Sequence, residues 1–122
     1  MPYIDGYVVA VPTANKDAFI AHAEKVDHLF TKHGALQVLE CWGDDVPRGE
    51  TTDFYKAVKA KEDETVMFSW VLWPDKETRD KGNEKVFADM QDMEHDGSDM
   101  PFDGKRLIYG GFQSIVEFNK DQ

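Results

Sequence analysis

From Val66 to Trp73 only Ser69 is polar, in a chain that is otherwise strongly acidic. A strand with one wet face alternates apolar and polar residues, because successive side chains point to opposite faces. This run is apolar on both faces, so each face needs a cover. Tyr3–Val11, rich in aromatic and β-branched residues and ended by Pro12, reads as a first strand. Asn15 is placed to cap a helix, with Asp17 in its first turn. From Lys16 to His33 the apolar residues Phe19, Ala23, Val26, Leu29 and Phe30 recur at helical spacing, and Gly34 stops the helix. Ala35–Trp42 reads as a second strand. The polar excursion Gly43–Glu64 is tacked down by Phe54, Tyr55, Ala57 and Val58, for which an extra edge strand is the expected form. Thr65–Trp73 is the buried strand, and Pro74–Asp75 opens a second helix from Lys76 to about Met93, with Gly82 in its middle. After an acidic loop, Glu94–Gly104, the last strand is expected over Arg106–Phe118, with a bulge or close backbone approach at Gly110–Gly111.

This order is βαβ followed by βαβ. Two such halves build a ferredoxin-like α+β sandwich: one domain spanning residues 1–122, with four antiparallel strands and both helices on one face. The last strand bears on the other face. Leu107, Tyr109 and Ile115 alternate with Ile108, Phe112, Val116 and Phe118, so both sides are largely apolar. A bare face of this kind exceeds the few hundred Å² that soluble monomers tolerate. The expected solution is a homodimer packed through the sheet faces, a dimeric α/β barrel burying roughly 1,500 Å² or more. Trp70 and Trp73 differ in parity, so one faces the helices and the other the dimer interface. Trp70, in the central strand, is expected to be buried.

Composition narrows the partners. The 122 residues are 41% hydrophobic and 31% charged, an ordinary globular balance, and the formal net charge is −10. Nucleic-acid affinity rests on Lys and Arg neutralising phosphates, so the charge excludes nucleic acid as an expected partner and disfavours an anionic membrane surface. No run approaches the ~20 apolar residues that span a bilayer. The N-terminus lacks a basic region, and Cys41, the one cysteine, cannot form an intrachain disulfide. A cytoplasmic protein is expected.

Four groups of residues could carry chemistry. His22 and His33 fall on the apolar side of the first helix, where a buried imidazole could act as acid, base or ligand. Their structural alternatives are a hydrogen-bonded core residue and a cation at the helix C-terminus. They lie roughly 16 Å apart along a helix and cannot share a metal. His28 lies on the opposite, solvent side. Asp92, Glu94, Asp96, Gly97 and Asp103 approach a calcium-loop pattern, but Glu94 is too long for its position, Pro101 stiffens the segment and no helix follows. A solvated acidic loop is the better reading, and no metal site is expected. Arg106 and Tyr109, entering the last strand beside Asp103 and Lys105, could hold an anionic ligand, or form a turn with an ion pair. Arg79 and Asp80 carry the same ambiguity. Trp42, Trp70 and Trp73 could stack on a planar ligand, though packing explains them as well. Cys41 reads as a small hydrophobe. No P-loop, dinucleotide fingerprint, GxSxG or HExxH is present, and no cofactor is expected.

Several motifs together resemble the DUF1428 family of small bacterial proteins, within the dimeric α/β-barrel superfamily. They are Asp5–Pro12, Glu40–Cys41–Trp42, Phe68–Ser69–Trp70, Arg79–Asp80, and Met100–Arg106 running into Tyr109–Phe112. The resemblance spans Tyr3 to Phe118 and implies the fold without a function. The wider superfamily includes monooxygenases, haem-degrading enzymes and ligand-sensing domains, an analogy at the level of fold alone. The reading is a homodimer that binds a small apolar or aromatic molecule between helices and sheet. His22, Trp42 and Trp70 are its wall candidates, with Arg106 and Tyr109 near the mouth. A cofactor-independent oxygenase and a purely structural dimer are the alternatives, and a cavity of ~300 Å³ or more separates the first two from the third.

Overall fold

In the computed structural model, which describes residues 1–93 and 100–121, four strands form one antiparallel sheet. They are β1 (Tyr3–Pro12), β2 (Gln37–Trp42), β3 (Glu64–Trp73) and β4 (Ile108–Gln113), in the order β2-β3-β1-β4. The helices are α1 (Lys16–Val26), α2 (His28–Lys32), the short α3 (Phe54–Ala57) and α4 (Lys76–Met93), so the protein is α+β. The two most apolar strands sit at the centre. β1 and β3 pair along their whole length, from Tyr3 opposite Trp73 to Pro12 opposite Glu64.

Odd-numbered residues of β1 and β3 meet the helices. Val9, Val11 and Met67 pack with Phe19 and Ala23 of α1, while Val71 and Trp73 pack with Phe30 of α2. Trp73 is fully buried, and a Cβ at Gly82 would stand 2.5 Å from its ring. A glycine in mid-helix lowers propensity, yet here it lets α4 approach the indole. Gly34 closes the α2 end with φ +112°, a conformation that other residues rarely adopt.

A buried carboxylate fixes α4 on the sheet. Asp5 accepts hydrogen bonds from Arg79 Nε (3.0 Å) and Nη2 (2.8 Å), from Trp73 Nε1 (3.0 Å) and from Asn83 Nδ2 (3.2 Å). These bonds hold the Arg79 guanidinium in its charged form, its pKa raised chiefly by Asp5. Arg79 also lies over the Tyr3 ring, and a Cβ at Gly111 would collide with both side chains. The close backbone approach expected at Gly110–Gly111 is therefore real, and β1–β4 pairing runs through it in unbroken register.

Four expectations need correction. The first helix divides at Asp27: the bond from Asp27 N to Ala23 O spans four residues, but the next, from Phe30 N to Asp27 O, spans three, which tightens the turn. Phe54–Ala57 forms a helix instead of an edge strand, because the Asp53 carboxylate caps it by accepting from the backbone N–H of Lys56 at 2.7 Å. β4 ends at Gln113 because Gln113 already pairs with Tyr3, the first residue of β1, so Ile115, Val116 and Phe118 lie beyond the sheet and are exposed. Trp70 is only half-buried, its ring on the face away from the helices, edge-on to Phe68; Trp73 is the buried tryptophan.

That second face is partly covered. Tyr55 and Val58 pack over Ala10 and Val66 at one corner, while Leu39, Phe68, Ile108 and Phe112 remain exposed. Asp5→Ala would strand the Arg79 charge and the Trp73 N–H, with an expected cost of about 3–5 kcal/mol in urea denaturation. Lys76→Ala, which removes an exposed bond to Asp80, is expected to cost less than about 0.5 kcal/mol. Equal losses would refute the anchoring role.

Candidate functional site

A cavity of 230 Å³ lies between the helices and the sheet. Its walls are apolar, formed by Phe19 and Phe30 from the helices, Val38 and Val71 from the sheet, and Phe102 and Leu107 from the segment before β4. Five polar side chains interrupt them. Tyr7 is contributed by β1, His22 by α1, Asp27 by the α1–α2 junction, Glu40 by β2 and Ser69 by β3. Helical and strand geometry brings them together. Asp27 lies four residues beyond Ala23 and eight beyond Phe19, on the stripe of the helix that faces the sheet. Glu40 pairs directly with Ser69 across β2 and β3, both on the helix side. An adjoining cleft of 430 Å³ shares Phe19, Ala23, Asp27 and Glu40, then continues to Trp42 and Lys16. The Lys16 ammonium sits 5.5 Å from the Trp42 ring centre.

The electrostatics centre on two acids. Ser69 Oγ donates to Glu40 Oε2 at 2.5 Å, and the Asp27 carboxyl is hydrogen-bonded to Glu40 as well. Burial pushes Asp27 up to about 8, from an ordinary 3.8, with the Glu40 bond and charge adding to the shift. Asp27 thus favours its protonated form at neutral pH, beside Glu40. Burial lowers His22, which leaves the imidazole neutral at pH 7, and raises the Tyr7 phenol. The cavity therefore offers a bound proton, hydroxyl groups and an uncharged imidazole inside apolar walls. Among the described residues, no lysine or arginine forms an ion pair with Asp27 or Glu40.

The residues expected from the sequence divide between this site and other places. His22 lines the cavity, its ring edge-on to Phe102 at 6.3 Å, and makes no hydrogen bond among the described residues. Trp42 lines the adjoining cleft. Trp70 follows Ser69 in the cavity floor, but its indole lies on the opposite face, where Nε1 donates to Gln37. Tyr109 stacks on Tyr7 at 6.2 Å but stands 74% exposed at the sheet edge, outside the cavity lining. Arg106 is a structural staple. It holds both Glu64 oxygens at 2.7 Å and the Asp103 carboxylate at 3.0 Å, and keeps Glu64 down at about 2. His33 binds Asp89 at 2.7 Å and ties α2 to α4. Of the calcium pattern, Glu94, Asp96 and Gly97 lie outside the described residues.

Sequence reading missed Tyr7, Asp27, Glu40 and Ser69. The available signal was a polar residue at a position whose neighbours of equal parity are apolar. Ser69 between Met67 and Val71, Tyr7 before Val9, and Glu40 between Val38 and Trp42 all meet that description.

Residues 2–104 match the family described as "Protein of unknown function (DUF1428)". The chain is 54% identical over 117 residues to "Uncharacterized protein YbaA" of Escherichia coli strain K12, a span covering 96% of this chain and 99% of that protein. The YbaA proteins of Escherichia coli O157:H7 and Shigella flexneri match with the same identity and coverage.

The Asp27 proton has a consequence for stability. The unfolded chain releases it near 3.8 and the folded protein near 8, so folding takes up a proton between these values, and this contribution to stability falls as pH rises through them. Asp27→Asn keeps the shape of the protonated acid. Its melting temperature is expected to match that of the parent near pH 4 and to exceed it by a margin that grows up to about pH 8. A margin independent of pH would contradict the protonated state.

Proposed function

The chain belongs to the DUF1428 family, and we propose that it binds a small, largely apolar molecule in the cavity between α1–α2 and the sheet. The observation that carries this reading is the cavity itself, with its five convergent polar groups on apolar walls. At 230 Å³ it is smaller than ligand sites of ~300–1,000 Å³, but with the 430 Å³ cleft that shares Asp27 and Glu40 it enters that range. A core filled by side chains would have favoured a structural dimer. The oxygenase reading draws on the same space but lacks a group hydrogen-bonded to His22 among the described residues.

We further propose that the domain has a ferredoxin-like topology and pairs with a second copy through its uncovered sheet face. The strand order and the exposed Leu39, Phe68, Ile108 and Phe112 support this. With a net charge of −10 on each subunit, apolar burial must drive the contact. A reducing, cytoplasmic setting suits the free, exposed Cys41. Among the described residues no helix is long and apolar enough to cross a membrane.

Two experiments test these readings. Millimolar 2-phenylethanol is expected to shift the amide resonances of Phe19, Ser69 and Phe102 while leaving α4 residues facing solvent unmoved; no shift, or shifts scattered over the surface, would overturn the binding site. Sedimentation at micromolar concentration is expected to give a dimer that Phe68→Asp converts to a folded monomer. A monomeric parent protein would overturn the pairing.

A further inference from the structure

The apolar cavity holds two carboxyl groups, and this composition points to the kind of molecule it accepts. Elsewhere the fold gives its buried acids an arginine: Asp5 has Arg79 and Glu64 has Arg106. Asp27 and Glu40 have neither arginine nor lysine as an ion-pair partner among the described residues, and the imidazole of His22 on the same cavity wall is pushed down by burial. Glu40, which is exposed, accepts instead from the Ser69 hydroxyl and lies beside Asp27, which is half-buried.

We propose that the cavity is a receptor for a small apolar amine, bound as its ammonium between the Asp27 and Glu40 carboxyls. This rests on reading the cavity as a ligand site and adds the charge of the ligand's head group. An ammonium carries three donors and one positive charge. Placed between the two acids, it replaces the proton that Asp27 holds beside Glu40, and both carboxylates then accept charge-assisted hydrogen bonds. The apolar remainder of the ligand fits against Phe19, Phe30 and Phe102, which lie along the same cavity. A net charge of −10 draws cations toward the protein and repels anions. The other titratable groups facing the pair are His22 and Tyr7, with Lys16, Glu24 and His28 around the adjoining cleft. Lys16 lies over Trp42, so its charge is engaged at the far end of that cleft.

Calorimetry with three probes of similar shape tests the proposal: phenethylamine, 2-phenylethanol and 3-phenylpropionate. Phenethylamine is expected to bind at least about ten-fold more tightly than 2-phenylethanol, and 3-phenylpropionate more weakly than either. Titrations at pH 7 in two buffers of different ionisation enthalpy are expected to show release of about one proton on amine binding and none with the alcohol. In the double variant Asp27→Asn with Glu40→Gln, the amine's advantage over the alcohol is expected to vanish. Equal affinity for amine and alcohol in the parent protein would overturn the proposal and leave the ligand site standing. An amine preference that survives in the double variant would also overturn it, tracing the preference to overall charge. Failure of all three probes at millimolar concentration would overturn both readings.

Discussion

Burying a carboxylate requires a counter-charge or a proton, and this fold uses both solutions. Asp5 is almost completely enclosed, and Arg79 compensates it from α4. That single contact joins the start of β1 to the second long helix, aligns the Trp73 indole and brings the helix close enough to require Gly82. Glu64, at the other end of β3, is compensated by Arg106 from the segment preceding β4. The two arginine pairs therefore bracket the central strands and hold in place the segments that wall the cavity.

Between them lies the exception. Asp27, its carboxyl raised by burial and by Glu40 beside it, and Glu40, which accepts from the Ser69 hydroxyl, have no ion-pair partner among the described residues. Such a pair has two low-energy conditions, protonated or neutralised by something that enters, whereas an arginine pair has one. Natural sequences give up stability in this way where a site has to respond to a ligand or to pH. Asp27 lines both the cavity and the cleft, and its spacing of four from Ala23 and eight from Phe19 places it on the sheet-facing stripe.

The sequence made the architecture legible because hydrophobic period and punctuation are local properties. The run from Val66 to Trp73, the apolar spacing of α1 and Gly34 each specify their element without knowledge of the rest, whereas Asn15, expected as a helix cap, makes no cap bond and donates to the Pro101 carbonyl instead. The limits of β4 were not legible, since they depend on where β1 begins, and Asp53 as a helix cap outweighed the strand propensity of Phe54 and Tyr55. The site was legible only at its apolar margin. His22 and Trp42 could be found from the face they occupy, and Glu40 from its apolar neighbours of equal parity, but the pairing of the two acids could not. Asp27 and Glu40 are thirteen positions apart and ordinary in composition, and their chemistry arises only when α1 and β2 are laid against each other. Two separate facts set where Arg106 and Trp70 stand, the latter still within the cavity lining. Glu64, forty-two positions away, claims the arginine, and strand parity turns the indole to the opposite face.

Proton sharing between Asp27 and Glu40 is the claim on which the site rests. The most direct measurement is the pH titration of side-chain carboxyl carbon resonances in protein labelled with carbon-13 at aspartate and glutamate, with Asp27 assigned by its absence in Asp27→Asn. The account predicts that the Asp27 carbon keeps the shift of a protonated acid through neutral pH and moves to that of the carboxylate near pH 8. An Asp27 resonance that titrates near 4, as in an exposed aspartate, would contradict it.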